Sequence, residues 1–587
     1  MCGIWSFINL CKNNNINIED LSKLFQDFWN VKMRGPDYSS LQCISPFDSQ
    51  LHNNVWIGFH RLAIVDPSFT SNQPFVFKQD DSTIVFICNG EIYNYKELIE
   101  RFELQITKTS DCMTIPELYI KFKRDNNIDS FYKLFDHTIQ GEFAFVMFEF
   151  NKTNILQKVI VGRDQIGIRP LYYHPVNENS KTMIFSSEVK GTNHFDGEIL
   201  EFPPGHIITY SINDKGLIDN KYVYSYKWVY NVKETNIIVN TKKEDVCLES
   251  EKLTNMLLEN IRRTVISSVE TRLEADRPIA FLLSGGVDSS LVAGIAAKKI
   301  KNPIRTFCCG MNEGTDLIYA RKVAKYIGSE HTEVFFTPEE GLESIRDVIW
   351  TTETWDTTTI RASVGQYIVS KYIGTKTDAK VVLVGEGPDE LCSSYLFNWY
   401  APNEIELHKA ALEYVDRIHY YDSKRGDRCI SRWGLEGRVP LLDPTFINSY
   451  WYVPAEWRHP KYKGIEKWWL RQAFKNTETI PDEVLWRKKE AFSDGISAKT
   501  KSWFQIIQEY IEDKVSDDEL QNAPVKYPYH TPKTKEAYYY RKVFCEMFGE
   551  SRQIIIPNYW QPKWNADGSE INEYIDPSAR VLNIYNE

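Results

Sequence analysis

Short apolar runs set off by Asn, Gly, Pro and Asp dominate the first 210 residues. Val55-Trp56-Ile57-Gly58-Phe59, Thr83-Ile84-Val85-Phe86-Ile87-Cys88, Phe143-Ala144-Phe145-Val146-Met147-Phe148 and Leu171-Tyr172-Tyr173 read as strands bounded by turn residues. Helical spacing interrupts them at Ile18 to Asn30, and at Met113 to Arg124 after Ser110-Asp111. Many strands and few helices predict an α+β domain, two packed sheets with helices outside. Phe202-Pro203-Pro204-Gly205 marks a turn near its end. Between Lys221 and Asp245 the pattern weakens into Tyr, Lys, Asn and Thr, the composition of a connector. From Val246 onward, helical patterns alternate with fully apolar runs at Arg277 to Leu283, Ile304 to Cys309 and Ala379 to Val384. Strands buried on both faces read that way, which predicts an α/β domain with a parallel sheet wrapped by helices. The expected layout is one domain over residues 2–210, a linker over 211–245 and a second domain over 246–587.

Composition narrows the function. The chain has 587 residues, 42% apolar and 25% charged, with a net charge of −11. That balance argues against generic nucleic-acid binding, so an anionic substrate must be held by local cations, helix N-termini or metal ions. Eleven cysteines without framework spacing read as reduced thiols in a cytoplasmic, cytosol-like compartment. Met1-Cys2-Gly3-Ile4-Trp5 lacks the basic and apolar regions of a signal peptide, and no run of about 20 apolar residues predicts a membrane span.

The sharpest local motif is Ser284-Gly285-Gly286-Val287-Asp288-Ser289-Ser290, between an apolar strand and the helical run Leu291 to Ala297. Two glycines let the backbone approach an oxyanion, and the free N–H groups of the next helix face it. Asp288 would repel a phosphate unless Mg²⁺ lay between them. The string resembles the pyrophosphate-binding loop of the ATP-pyrophosphatase family, which cleaves ATP to AMP and pyrophosphate. A Walker-A pattern is absent. A second loop, Gly385-Glu386-Gly387-Pro388-Asp389-Glu390, follows the third apolar run and crowds three carboxylates among glycines, which calls for cations or a metal.

Cys2 follows Met1, and removal of Met1 would place the thiol beside its own α-amine, a base titrating at about 7.7–8. The strings Cys2-Gly3-Ile4, Arg34-Gly35-Pro36-Asp37, Gly58-Phe59-His60-Arg61-Leu62-Ala63 and Asn89-Gly90-Glu91-Ile92-Tyr93-Asn94 occur in that order. With Gly162-Arg163-Asp164 and Phe185-Ser186-Ser187-Glu188 they resemble the class II glutamine amidotransferase domain of N-terminal nucleophile hydrolases. The resemblance implies a four-layer αββα sandwich with Cys2 as nucleophile and Asn89 and Gly90 as oxyanion hole. Arg61 would hold the glutamine α-carboxylate, Glu91 and Asp111 its α-ammonium, and backbone from Leu62 to Ile64 would add contacts. His60 reads as a structural histidine. Met113 stands where the family often has an acidic residue.

Together the halves resemble the glutamine-hydrolysing asparagine synthetase family over nearly the whole chain. Supporting stretches include Thr358-Thr359-Ile360-Arg361, Gly434 to Asp443, Gly464-Ile465-Glu466-Lys467 and Arg487 to Gly495. The resemblance implies ATP-dependent conversion of aspartate to asparagine through β-aspartyl-AMP, with ammonia from glutamine passing internally. By the same resemblance Ser284, Gly285, Gly286, Ser289 and Ser290 bind pyrophosphate, and Asp288 and Asp389 hold Mg²⁺. Leu283, Cys309, Val384 and Gly385 contact adenosine, Lys467 neutralises phosphate charge, and Glu386 acts on ammonia or the intermediate. Arg361 is a weaker candidate for this site. Val384 and Pro388 replace two serines of the family pattern, which removes two hydroxyls and one N–H. A homodimer is the family expectation. Alternatives are a non-catalytic scaffold, a glutaminase-only enzyme and a β-lactam-forming synthetase; the last would need neither Cys2 nor a glutamine pocket.

Overall fold

The computed structural model describes residues 1–10, 17–46, 54–106, 110–213, 216–227, 246–312, 314–489, 495–497, 501–574 and 576–577. The chain divides into two compact units. One comprises residues 1–228 with 431–436 and 548–555; the other comprises 229–430, 437–547 and 556–587.

The first unit holds two six-stranded sheets. In one, the strand order is Leu200–Glu201, Tyr172–Tyr173, Thr182–Ser186, Gly3–Asn9, Asn54–Arg61, Tyr38–Ile44. In the other it is Ile218–Ser225, His206–Ile212, Leu156–Arg163, Gly141–Asn151, Ser82–Ile92, Phe75–Lys78. Strand alternation decides the layering. Val85, Ile87, Val146 and Phe148 face Ile4, Ile8, Ile57 and Phe59 of the other sheet in a shared core. Their neighbours Ile84, Phe86, Cys88, Phe145 and Met147 point the opposite way, onto Leu118, Phe131 and Phe135 of the helices Thr114–Arg124 and Ile128–His137. Beyond the first sheet lies the helix Ile18–Asn30, capped by Asn17, whose side chain accepts from Asp20 N at 2.7 Å. It approaches through Gly58, where a Cβ would lie 2.5 Å from a Phe28 ring carbon. The expected αββα order is therefore present.

Some features of this unit escaped the reading of the sequence, the short helix Tyr95–Arg101 among them. Ile218–Ser225, inside the span expected as a connector, pairs along its length with His206–Ile212. It is an edge strand with mostly exposed side chains, so it carries no apolar alternation. Helix Ile128–His137 was also missed, because it follows Thr114–Arg124 after only a short turn.

The second unit contains a five-stranded sheet in the order Glu330–Phe335, Arg305–Gly310, Ile279–Leu282, Val381–Leu383, Glu436–Arg438. The first four strands are parallel. The three apolar runs form its middle, as expected. Glu330–Phe335 is an edge strand in which only Val334 is buried, so the polar residues hid it. From Ile279–Leu282 the chain runs through the helix Val287–Lys299 to a neighbour on one side, while Val381–Leu383 pairs on the other. The connections diverge at this point, which leaves a crevice beyond the carboxyl ends of the two central strands. The loops at Ser284 and Gly385 both emerge there.

Candidate active sites

In the first unit, Cys2 stands immediately before the central strand Gly3–Asn9, and its Sγ lies 3.7 Å from the Leu62 carbonyl oxygen. Arg34 Nε donates to the Cys2 carbonyl at 3.0 Å, which fixes the backbone carrying the thiol. Burial pushes the Cys2 thiol up to about 11, although the neighbouring N-terminal ammonium and Arg61 act in the other direction. Burial also lowers the pKa of the Met1 amine.

Asn89 is fully buried on Ser82–Ile92, and neither its Nδ2 nor its Oδ1 has a hydrogen-bond partner among the described residues. A buried amide left unpaired costs about 1–3 kcal/mol, so its retention points to a ligand. The next residue must be glycine, since a Cβ on Gly90 would lie 2.2 Å from the Glu142 carbonyl oxygen. Arg61 ends the strand Asn54–Arg61, and the following loop holds its guanidinium. Nη1 donates to Ser68 O at 2.6 Å and to Asn72 Oδ1 at 2.7 Å, and Nη2 donates to Asp66 O. Leu62, Ile64 and Glu91 are buried. Asp111 Oδ2 accepts from Ile92 N at 2.6 Å. Burial pushes the Asp111 carboxyl up to about 6.

His60 is structural, as expected. It stacks on Phe28 with ring centroids 4.0 Å apart, and its nitrogens meet Ser39 Oγ and Phe28 O. Burial pulls it down to about 4.

In the second unit, the loop at Ser284 is a tight turn into the helix Val287–Lys299. Ser284 N donates to Ser289 Oγ at 3.2 Å, and the two hydroxyls lie 3.0 Å apart. Gly285 has φ +73°, and a Cβ there would sit 2.5 Å from Ala320 N. Ser290 Oγ is buried without a partner among the described residues. The second loop packs onto the first. A Cβ on Gly385 would lie 2.5 Å from Ser289 N, so glycine alone allows the approach.

Four charges face one another here. Lys467 Nζ lies 2.5 Å from Asp288 Oδ2 and 2.5 Å from Asp389 Oδ1, and Lys489 Nζ pairs with Asp389 Oδ2. Burial opposes ionisation of Asp389, but Lys467 and Lys489 outweigh it and hold the carboxyl well below its usual range. Asp288 shifts upward instead, because burial there exceeds the attraction of Lys467. Beside the cluster opens a cavity of about 270 Å³ lined by Leu283, Ser284, Gly286, Asp288, Ser289, Cys309, Val384, Gly385, Glu386, Asp389 and Lys467. Expected residues of both loops therefore meet around one space. Val384 is fixed by its N–H to Arg438 O at 3.0 Å, and Cys309 Sγ donates to Gly365 O at 3.2 Å. Pro388 opens the short helix Pro388–Leu391.

Arg361 lies elsewhere. Thr358, Thr359, Ala362 and Gln366 of the helix Thr357–Lys376 line the cavity, whereas Arg361 forms two-bond pairs with Glu536 and Asp576. Both edges of its guanidinium are taken by these carboxylates. Lys489 and Arg487 were missed as cavity residues. Their run Arg487 to Gly495 stood out in the sequence, but nothing there tied those charges to Asp389 or Asp316.

Comparisons with known proteins follow the same division. Residues 1–199 match the glutamine amidotransferase domain family, and residues 260–410 and 400–575 match the asparagine synthase family. The glutamine-hydrolyzing asparagine synthetase of Homo sapiens is 38% identical over 598 residues, covering 100% of this chain and 99% of that protein. The enzyme of Gallus gallus is 38% identical over 602 residues, with the same coverage. That of Mus musculus is 37% identical over 598 residues, also with the same coverage. With likeness sustained from end to end and both sets of motifs assembled in space, the chain belongs to the glutamine-hydrolysing asparagine synthetase family.

Proposed function

We propose that this chain converts L-aspartate to L-asparagine at the expense of ATP, with ammonia released from L-glutamine at Cys2. The observation that carries the reading is the cavity of the second unit, where a phosphate-type glycine loop, Lys467 and Glu386 border a single space. A carboxylate does not accept ammonia until one of its oxygens becomes a good leaving group. The aspartate β-carboxylate attacks the α-phosphorus of ATP, diphosphate leaves, and ammonia displaces AMP from the acyl-adenylate. Lys467 and the N–H groups from Gly286 onward meet the negative charge of the phosphates.

Asp288 Oδ1 is buried without a partner among the described residues, and Asp288 and Asp389 offer hard carboxylate oxygens beside the loop. That donor set fits Mg²⁺, which is held by one or two carboxylates plus phosphate oxygens. Among the described residues no three His, Cys, Asp or Glu side chains group to hold a metal unaided. When bound, the ion would neutralise phosphate charge.

At the other site Cys2 attacks the glutamine amide, and water completes hydrolysis to glutamate. Asn89 and Gly90 stabilise the oxyanion, and Arg61, Leu62, Ile64, Glu91 and Asp111 seat the substrate. Loss of Met1 would make the α-amine of Cys2 its base. The glutaminase domain is assigned to residues 2–210, with Ile218–Ser225 extending its sheet, and the synthetase domain to 246–587. A homodimer in the cytoplasm completes the proposal, supported by family resemblance and scattered thiols. No helix among the described residues is long and apolar enough to cross a membrane.

The test is incubation with aspartate, glutamine and MgATP, with products identified by mass spectrometry. Asparagine, glutamate, AMP and diphosphate together are expected. Glutamate alone would mean a glutaminase without synthetase activity, and no product at all would favour a scaffold.

A further inference from the structure

The far wall of the second unit's cavity carries a set of polar groups that the phosphate chemistry does not use. Three elements converge there. The loop after Val381–Leu383 brings Glu386, the helix Thr357–Lys376 brings Gln366, and the helix Asp422–Ser431 brings Asp422 and Arg425. The last helix comes close because residue 426 is glycine; a Cβ there would lie 2.7 Å from Glu386 Oε2. Gln366 Nε2 donates to Glu386 Oε1 at 2.9 Å. Arg425 Nη2 lies 3.2 Å from Asp422 Oδ1 and 3.5 Å from Glu386 Oε1.

Two buried acceptors on this wall have no partner among the described residues, Gln366 Oε1 and Glu386 Oε2. Gln366 is only 2% exposed, so water does not satisfy its oxygen from bulk. The wall thus combines a planar guanidinium, which suits a carboxylate, with two carboxylates and an idle amide oxygen, which suit an ammonium. A single ligand carrying both an ammonium and a carboxylate answers every one of these demands. The head group of an α-amino acid is such a ligand.

We propose that Arg425, Asp422 and Gln366 form the subsite for the aspartate head group. Arg425 takes the α-carboxylate, Asp422 and Gln366 Oε1 take the α-ammonium, and the β-carboxylate is left toward the loop at Ser284. This rests on the asparagine-forming reading given above. It goes beyond that reading by assigning the residues that select the amino acid.

The experiment measures asparagine formation with ammonium as nitrogen source, and inhibition by two analogues. β-Alanine lacks the α-carboxylate and succinate lacks the α-amine, while both keep the reacting carboxylate. Arg425→Gln is expected to reduce the preference for aspartate over β-alanine at least tenfold and to leave the preference over succinate unchanged. Asp422→Asn is expected to do the reverse. Arg425→Lys, which keeps the charge and loses the fork, should retain part of the first preference. The KM for ATP should stay within about twofold in all three, since a charged hydrogen bond lost at one end of a ligand weakens that ligand alone. If both preferences fall together in each variant, or neither moves while asparagine is still made, the subsite assignment is wrong. If the unsubstituted protein makes no asparagine, the asparagine-forming reading fails, and this inference with it.

Discussion

Lys467 Nζ lies 2.5 Å from Asp288 Oδ2, and the lysine adopts a left-handed backbone at φ +57° to get there. Non-glycine residues held in that region cost about 1–3 kcal/mol, which persists where the position is over-determined by its surroundings. Burial lowers the pKa of a lysine, yet Asp288 and Asp389 outweigh it and raise this one. Removal of the ammonium would leave two buried carboxylates facing each other. Lys467→Met should therefore destabilise the protein by about 3–5 kcal/mol at pH 7. Asp389 has a depressed pKa in the folded state, so its contribution is present above the unfolded value and lost as pH falls through the folded one. The stability gap between the two proteins should accordingly narrow only below the unfolded value of 3.8, as read by denaturant titrations at pH 7 and pH 3. ATP-dependent diphosphate release should fall at least about a hundredfold, with glutamine hydrolysis kept.

Asn89 gives a prediction of opposite sign for stability and activity. Its buried amide has no partner among the described residues. Asn89→Ala relieves that desolvation and should leave the melting temperature unchanged or higher. Loss of an oxyanion donor should lower glutaminase kcat by about 10²–10³. A clear drop in melting temperature would show that the amide serves the fold.

Asp111 carries a pH signature. Its carboxyl is pushed from 3.8 up to about 6 by burial. A raised folded-state value means that this group stabilises the protein fully below its unfolded pKa, and that the contribution disappears as pH rises through 6. Asp111→Asn keeps the acceptor for Ile92 N and removes the titration. The variant should gain stability relative to the parent between pH 4 and pH 7, on the order of 3 kcal/mol from a shift of about two pH units. Urea unfolding midpoints across that range check it.

Cys2 should be a sluggish thiol while Met1 is retained. With the thiol at about 11, alkylation by iodoacetamide should climb steadily with pH and show no plateau near 8.5, as read by mass spectrometry of the N-terminal peptide. Protein carrying Met1 or an N-terminal extension should hydrolyse glutamine at least about tenfold more slowly than protein beginning at Cys2. Asparagine formation from ammonium should be the same in both.

The glutamine-site and nucleotide-site motifs were legible because each is a local string whose geometry follows from neighbouring residues. Ser284-Gly285-Gly286 after an apolar run needs only a strand, a turn and a helix to become a phosphate loop. Arg361, the weaker candidate, lies off the cavity wall for a reason that is also physical. Its neighbours Thr358, Thr359 and Ala362 do line the cavity, but one step along a helix rotates a side chain by about 100°, out of the site and toward Glu536 and Asp576.

The sequence by itself determined the class of each half and most of the candidate chemistry, because alternation, apolar runs and glycine-rich turns are encoded within a few residues. Only the tertiary structure decided how distant charges pair. Lys467 meets Asp288, Lys489 meets Asp389, and Arg425 meets Glu386 and Asp422. It also decided that residues 548–555 return to the first unit, where Arg552 donates to the carbonyls of Gly197, Thr192 and Phe195. Such pairings depend on sheet order and on the angles at which helices pack, which arise from the summed burial of the whole chain and leave no trace in any local window.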